Sequence, residues 1–307
     1  MLNIGVIGLG NIAQKAYLPV YAHMRRQVNW LMVNRGAEKL AKVTGDYGFT
    51  PFGSDYQSLI DQPLDAVMIH LPTPLHEGAI RYFLARGVNV YVDKPVTTSF
   101  ASTQALYALA EENGVLLTAG FNRRFVPFIR ELATVPDPGT IQVVKNEVRL
   151  NQQPRDVLYD LVIHPIDTAL FIAGFPKISA SHFDWAIDQQ GALTHGYISF
   201  STERTLVCAG GDLMAGADAE VATVTAPTET KTVRNLTQLQ TEQGGAQTLK
   251  EVPKWQNAGD NRGFGQLVQA FVTAVVTHGD NPVPPTSSLL THELTEQFVR
   301  RIESTPQ

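Results

Sequence analysis

Two glycines and an alanine near the start of the chain are spaced as in a phosphate-binding turn. The stretch IGVIGLGNIAQKAYLPV is an apolar run, then Gly8, Gly10 and Ala13, then a helical pattern. In G-x-G-x-x-A between a strand and a helix, the first glycine turns sharply and the second lets a pyrophosphate approach the backbone. The helix N-terminus offers unpaired N–H groups to the phosphates. The motif predicts a dinucleotide site that also includes Asn11 and Ile12, with an empty tight turn as the alternative.

The end of the second predicted strand bears on which dinucleotide is bound. An acidic residue there would accept hydrogen bonds from the adenosine ribose, but the stretch LMVNRGAEK has Asn34 followed by Arg35. Without a carboxylate to repel it, a 2′-phosphate could pair with the guanidinium. The pattern favours NADP over NAD. The alternative is that Arg35 is only a solvated loop charge.

Polar residues follow three further predicted strands, where ligands of a doubly wound sheet bind. The fifth strand ends in VDKPV, in which Lys94 directly precedes Pro95. Beside a cationic nicotinamide and a desolvated substrate, the ammonium form of this lysine is disfavoured, so proton exchange near neutral pH is plausible. A solvated surface lysine is the alternative. The other two ends read HLPTPLHEG at 70–78 and AGFNRRF at 119–125.

A carboxylate and an imidazole are four residues apart in RDVLYDLVIHPIDTALFIAG. On a helix, this spacing stacks Asp160 and His164 on one face, where the carboxylate can orient the imidazole. Pro165 disfavours helical geometry at His164 and removes the hydrogen bond to the carbonyl of Leu161, so we expect a kink that opens room at the imidazole. The alternative is a satisfied core histidine with a helix acid.

The elements that must position these residues change character near residue 120. Up to there, short apolar runs alternate with helical patterns, which predicts a doubly wound parallel sheet in a domain of residues 1–120. Gly87 and Gly114 are expected at positive φ after helices. Residues 121–307 contain one helical pattern over 155–173, alternating stretches typical of an antiparallel sheet with an exposed hairpin at 237–248, and two terminal helical segments.

The net charge, the single cysteine and the spacing of the histidines indicate which classes of function are expected. The 307 residues are 44% hydrophobic and 17% charged with a net charge of −5, so nothing indicates a nucleic-acid or anionic membrane surface. The single cysteine, Cys208, lies in an apolar stretch and is interpreted as a core side chain in a reducing compartment. We expect a cytoplasmic protein that binds small molecules. The eight histidines show no metal-ligand spacing, so we expect no metal.

Several of these stretches occur in order and together resemble one family. GVIGLGNIAQKAYLP, PTPLHEGAIRYFLARGVNVYVDKP, GFNRRF and YDLVIHPID are similar to segments of the glucose–fructose oxidoreductase / inositol dehydrogenase / rhizopine catabolism (Gfo/Idh/MocA) family, closest to its MviM-like branch. The resemblance implies an α/β protein with an N-terminal Rossmann domain and a C-terminal α/β domain whose sheet is open and mainly antiparallel. It also implies homodimers or homotetramers built through that sheet, and a catalytic trio of Lys94, Asp160 and His164.

The chain departs from the family pattern at two places. The usual E-K-P reads D-K-P at Asp93, and the T-P-N segment that often touches the nicotinamide reads Thr73, Pro74, Leu75. Asn122 and Arg123 could reach substrate or cofactor, although Asn122 would equally suit a helix N-cap. The expected cofactor-binding residues are Gly8, Gly10, Asn11, Ile12, Asn34, Arg35, Leu71, Thr73, His76, Asp93 and Lys94.

The predicted reaction is NAD(P)-dependent hydride transfer at a hydroxyl-bearing carbon of a sugar, cyclitol or related polyol. His164 would be the general base, Asp160 would set its tautomer, and Lys94 would stabilise charge on the reacting oxygen. A non-catalytic nucleotide-binding sensor on the same fold is the alternative, against which the intact trio argues.

Overall fold

The computed structural model describes residues 1–148, 151–255 and 258–305 and divides the chain into two compact units. Unit 1 takes the N-terminal residues and also the helix near residue 270, which the sequence assigns to the second domain. The physical reason is aromatic packing, because Phe264 and Phe271 lie edge-on to Tyr17 and Tyr91, with ring centroids 5.0 and 5.6 Å apart. Unit 1 comprises 1–121, 258–260 and 264–289, and unit 2 comprises 122–257, 261–263 and 290–307.

Unit 1 is built on a six-stranded parallel sheet, as the sequence predicts. Its strand order is β3-β2-β1-β4-β5-β6. This is the doubly wound order, in which successive strands are added to one side of β1 up to β3 and to the other side from β4 onward. The central strands are buried on both faces, which explains their continuous apolar runs. The strands are β1 (Leu2–Ile7), β2 (Val28–Val33), β3 (Thr50–Gly53), β4 (Ala66–Ile69), β5 (Asn89–Val92) and β6 (Leu117–Ala119).

Unit 2 contains an eight-stranded, mainly antiparallel sheet. Its order is β14-β13-β12-β11-β7-β10-β9-β8, and only the β7–β10 pair runs parallel. The predicted hairpin is confirmed as β13 and β14, joined through Gly244 and Gly245 at positive φ. The strands are β7 (Thr140–Asn146), β8 (Ser181–Ile187), β9 (Leu193–Ser201), β10 (Leu206–Asp212), β11 (Ala219–Thr225), β12 (Thr230–Arg234), β13 (Gln238–Gln243) and β14 (Ala246–Glu251).

Helices cover unit 1 and lie against the sheet of unit 2. Gly87 and Gly114 have φ of +71° and +64°, which confirms their predicted place after helices. No helix among the described residues is long and apolar enough to cross a membrane. The α-helices are α1 (Leu18–His23), α2 (Ala37–Tyr47), α3 (His76–Leu84), α4 (Phe100–Glu112), α5 (Pro127–Leu132), α6 (Pro154–Val157), α7 (Ile163–Ile172), α8 (Ala258–Asn261), α9 (Phe264–Thr277) and α10 (Pro285–Ser304).

Two wider turns of π-helix occur inside continuous helical stretches, one in each unit. The first, Ala13–Tyr17, leads into α1, and the second, Leu158–Val162, joins α6 to α7. A proline follows closely in both, Pro19 and Pro165, and lacks the N–H that an α-helical turn needs. The predicted break at Pro165 therefore takes the form of a widened turn, a feature that often marks functional sites.

Candidate active site

The glycine loop of unit 1 uses its two glycines differently. Gly8 has φ of +92°, and a Cβ there would lie 2.9 Å from the carbonyl carbon and oxygen of His70. A Cβ at Gly10 would meet nothing within 4 Å. Only glycine fits at residue 8, because the end of β1 lies too close to the end of β4 to leave room for a side chain. At Gly10, in contrast, the space beside the backbone is open. Helical turns begin immediately afterwards, at residue 11. This cradle fits a dinucleotide pyrophosphate.

A cleft of about 650 Å³ opens at the carboxyl ends of β1, β2 and β4. Two cations, Arg35 and Lys39, line it and are exposed, and no carboxylate is found among its described lining residues. Asn34 bridges the loops, since its Oδ1 accepts from the N–H of Leu9 at 3.3 Å and its Nδ2 donates to the carbonyl of Gly36 at 3.1 Å. Of the predicted cofactor residues, those that line the cleft are Gly8, Gly10, Asn34, Arg35 and Leu71.

The other predicted cofactor residues lie elsewhere in unit 1. Asn11 and Ile12 begin the helix after the glycine loop and are exposed, and Thr73 is half-buried in a short 3₁₀ turn. His76 is 1% exposed, with its Nδ1 2.9 Å from the carbonyl oxygen of Pro95 and its Nε2 2.8 Å from that of Leu71. His76 therefore joins two strand-end loops.

Asp93 and Lys94 directly follow β5, and aromatic hydroxyls lie beside the Asp93 carboxylate. The Asp93 Oδ1 accepts from the Tyr17 hydroxyl at 3.1 Å and from the Lys94 N–H at 2.9 Å, and the Tyr17 and Tyr91 hydroxyls are 3.0 Å apart. A Cβ at Gly120 would lie 3.0 Å from that same Oδ1. Burial raises the pKa of Asp93, although the charge of Lys94 opposes this.

Three further side chains lie in this region, and the sequence patterns do not identify them: His70, Tyr17 and Tyr21. The His70 ring stacks on Tyr17 with centroids 4.0 Å apart, and its Nε2 lies 2.7 Å from the Tyr21 hydroxyl. Burial lowers the pKa of His70 to about 3, so the ring is neutral. His70 comes directly after β4, so the strand-end rule, applied to each residue, would have found it. No comparable spacing marks the two tyrosines.

In unit 2, the π turn at Leu158–Val162 separates the environments of the two residues that the sequence pairs. Asp160 is exposed, whereas His164 is only 8% exposed. The N–H of Ile163 donates five residues back, to the carbonyl of Leu158, so the α-helical spacing assumed for the pair is locally changed. The structure thus places a carboxylate on the solvent side of the turn and an imidazole on the buried side.

Arg123 is in direct contact with His164. Its Nη1 lies 3.0 Å from Nδ1 and 3.2 Å from Nε2 of the imidazole. Its Nε and Nη2 donate to the two carboxylate oxygens of Glu220 at 2.9 and 3.0 Å. Asn122 donates to the carbonyl of Arg262 at 2.7 Å and accepts from Arg123 at 3.2 Å. The two residues predicted to bind substrate therefore organise the surroundings of His164.

These contacts define what the histidine can do chemically. A guanidinium is only a donor, so a ring nitrogen that it contacts must present a lone pair. A neutral imidazole has one ring nitrogen with a lone pair, so His164 accepts a proton from a hydroxyl only when that hydroxyl replaces Arg123 at this nitrogen. Glu220, which the sequence did not single out, supplies the counter-charge, because burial opposes its ionisation but Arg123 outweighs burial and leaves the pKa of Glu220 low.

Comparison with known proteins identifies the fold and the chemistry that it serves. Residues 2–121 match the model of an oxidoreductase family with an NAD-binding Rossmann fold, GFO_IDH_MocA. The chain is 28% identical over 281 residues to putative oxidoreductase YceM of Salmonella typhimurium, covering 89% of each chain. It is 32% identical over 130 residues to D-xylose 1-dehydrogenase (NADP(+)) 2 of Haloferax volcanii, covering 42% of this chain and 40% of that one.

A solved structure matches along nearly the whole chain. The dehydrogenase MviM of Clostridium difficile superimposes with a TM-score of 0.90 and 26% identity, covering 98% of this chain and 99% of that one. The doubly wound strand order, the glycine cradle and these matches agree with one another. The chain is therefore similar to Gfo/Idh/MocA oxidoreductases, and residues 2–121 match that family's NAD-binding Rossmann fold.

Proposed function

We propose that the chain catalyses reversible oxidation of a hydroxyl-bearing carbon of a sugar, cyclitol or related polyol, with NADP preferred to NAD. The observation that carries this proposal is the buried imidazole of His164, which lies against Arg123 where the Glu220 carboxylate offsets the charge of the guanidinium. A relative named as a D-xylose dehydrogenase supports the sugar or polyol class.

In the proposed reaction, each member of the trio has one role. His164 accepts the hydroxyl proton, and Asp160 sets the tautomer and basicity of the imidazole. Lys94 hydrogen-bonds to the reacting oxygen and stabilises the negative charge that develops there. When bound, the nicotinamide takes up the hydride in oxidation and returns it in reduction. Asn122 and Arg123 contribute by holding His164 and bordering the substrate.

The preference for NADP rests on the charged side of the cleft. Arg35 and Lys39 both line it and are exposed, so a 2′-phosphate there would meet two cations. The NADP(+)-dependent relative supports the same preference. Pyrophosphate contacts would come from Gly8, Gly10 and the helix that follows, including Asn11 and Ile12, and nicotinamide contacts from Leu71, Thr73, His76, Asp93 and Lys94. Homodimer or homotetramer formation and a cytoplasmic location stay predictions of the sequence.

Absorbance at the reduced-nicotinamide band tests the proposed reaction. The purified chain is incubated with each cofactor and a panel of sugars, cyclitols and polyols, in both directions. We expect turnover of at least one panel member, faster with NADP. Cofactor binding by calorimetry without turnover of any member would overturn the proposal and favour a nucleotide-binding sensor.

Substitutions then test the trio. His164→Asn should keep the fold and the cofactor affinity yet lower kcat by about 10²–10⁴, the range for losing general acid–base help. Lys94→Met should also suppress turnover, and the double variant should lose much less than the sum of the two single losses in log kcat, because both groups act on one oxygen. His182→Asn, an exposed histidine on β8, is the matched control. Fully additive losses would contradict a shared site.

A further inference from the structure

Charged side chains gather on the buried face of the unit 2 sheet, near His164. Glu220 of β11 pairs directly with Lys145 of β7, so the two side chains project from the same face of the sheet. On that face, Ile141 and Val143 of β7 are buried, and α7 packs against β7. The side chains of Lys145 and Glu220 are each only 12% exposed. The sheet register therefore brings a cation and an anion to the helix that carries the histidine.

Arg123 connects this pair of strands to the helix. Its side chain is 8% exposed and spans from the Glu220 carboxylate, which it holds at both oxygens, to the His164 ring. A bidentate arginine–carboxylate pair fixes the plane and the position of the guanidinium. The remaining nitrogen, Nη1, is then aimed at the imidazole and at the Asn122 side-chain oxygen. The Glu220 carboxylate binds Arg123, and Arg123 in turn contacts His164. Glu220 therefore influences the charge of His164 through Arg123.

The charged side chains of this cluster come from several elements and comprise three cations and three carboxylates. The 3₁₀ turn Asn122–Phe125 supplies Arg123, β11 supplies Glu220, and β7 supplies Lys145, whose Nζ lies 3.0 Å from the Glu147 carboxylate. Asp160 lies on the helix of His164 itself, one turn earlier. The charge of Arg262, in the segment 261–263, also acts on Glu220. Burial lowers the pKa of Lys145, and Arg123 adds to this while the Glu147 bond opposes it. A proton added to His164 would upset a balanced cluster.

We propose that Glu220 is a positioning residue that anchors Arg123 against His164 and offsets its charge, and so sets the pH at which the imidazole takes up a proton. Arg123 acts against protonation, because imidazolium beside guanidinium places two cations in contact. Glu220 moderates that repulsion. The catalytic consequence rests on the proposed function, in which His164 is the general base, but the electrostatic arrangement does not depend on it.

Nuclear magnetic resonance of histidine-labelled protein tests this without requiring turnover. The His164 signal is identified by its loss in His164→Asn, and its titration midpoint is followed in the full chain. Glu220→Gln removes the counter-charge, so the midpoint should fall by about one pH unit. Arg123→Met removes the repelling cation, so the midpoint should rise by a similar amount. The double variant leaves no unpaired buried charge and should titrate between the two single variants, which keeps the test open if Arg123→Met does not fold.

A matched control and the pH profile of kcat/KM complete the test. Glu242→Gln makes the same chemical change on β13, where Glu242 is exposed, and should leave the midpoint in place. If turnover is found, the acidic limb of the profile should move with the midpoint in Glu220→Gln. An unmoved midpoint in Glu220→Gln, or a double variant that titrates no higher than Glu220→Gln, overturns the proposal even when His164→Asn abolishes turnover. Shifted midpoints without any turnover would support it and overturn only the enzymatic function.

Discussion

Two half-buried carboxylates, one in each unit, have their pKa values shifted in opposite directions. Burial raises the pKa of Asp93 in unit 1, and the charge of Lys94 reduces the rise without cancelling it. Burial also acts on Glu220 in unit 2, yet its pKa lies below the ordinary value because Arg123 holds both of its oxygens. Burial alone therefore does not decide the charge state of a carboxylate; the charge of its direct partner does.

The cleft region of unit 1 and the surroundings of His164 in unit 2 also differ in the kind of polar group that they bury. The buried polar groups behind the unit 1 cleft are hydroxyls and a neutral imidazole, from Tyr17, Tyr21, Tyr91 and His70, and the cations of the cleft are exposed at its edge. Unit 2 instead buries full charges in pairs, including Arg124 with Asp167. A nucleotide brings its own charge to unit 1, so exposed cations suffice there.

The largest effect is expected where unit 2 buries an ion pair. Arg124 and Asp167 are 3% and 2% exposed, and Thr291 donates to the same carboxylate at 2.9 Å. Asp167→Asn leaves the guanidinium buried without its counter-charge and should lower the free energy of unfolding by about 3–5 kcal/mol. Urea unfolding measures the loss. Asp46→Asn, which breaks the exposed pair with Lys42, should cost less than about 1 kcal/mol. Equal losses would remove the contrast between buried and exposed charges.

An intermediate effect is expected at the edge of the cleft, on binding and not on stability. Arg35→Asp should weaken NADP binding by about 1.5–3 kcal/mol, since a charge-assisted hydrogen bond is lost and a repulsion is added. Calorimetry with both cofactors measures this. Lys42→Asp changes the net charge equally on α2 and does not line the cleft, so it serves as the control. If NADP affinity falls equally in both variants, Arg35 makes no specific contact and the preference for NADP loses its support.

A smaller effect is expected from removing one hydroxyl behind the cleft. Tyr17→Phe keeps the ring stacked on His70 but removes the bonds to Asp93 and Tyr91, so the free energy of unfolding should fall by about 1 kcal/mol. Tyr82→Phe removes a hydroxyl that bonds an exposed carbonyl and should cost less. A loss for Tyr17→Phe as large as that for Asp167→Asn would show that neutral networks stabilise as strongly as buried ion pairs.

The smallest effect concerns the pH dependence of stability. A carboxyl whose folded pKa is raised binds its proton more tightly in the folded state. The contribution of Asp93 is therefore fully present below its ordinary value of 3.8 and is lost as the pH rises through the raised pKa. Asp93→Asn should flatten this decline in urea unfolding measured from acidic to neutral pH. An unchanged slope relative to wild type would contradict the raised pKa.

Local sequence patterns were sufficient for most of the fold and for part of the site. The strand–glycine–helix pattern at Gly8 and Gly10 is local, so the cradle and the parallel sheet could be predicted. The assignment of α9 could not, because its apolar face is equally compatible with either unit until Phe264 and Phe271 meet Tyr17 and Tyr91. Helical periodicity describes which face is apolar and leaves open what that face packs against.

The surroundings of His164 show why the rest of the site escaped prediction. The pairing of Asp160 with His164 is predicted from α-helical spacing and stays a prediction, because a π turn changes that spacing locally. Glu220 lies 97 residues from Arg123, and only the register of β11 on β7 brings it to the helix. Long-range register of this kind has no local signature, so Arg123 was interpreted as a substrate contact when its described partners are Glu220, Asn122 and His164.

The assignment of residues 264–289 to unit 1 has a consequence for synthesis on the ribosome. The first 121 residues emerge early, but the aromatic surface of Tyr17 and Tyr91 stays without α9 until the chain has grown past residue 277. The nascent Rossmann sheet must therefore wait, with apolar side chains uncovered, while all the strands of unit 2 are made. Unit 1 is therefore completed only after the strands of unit 2 have been synthesised.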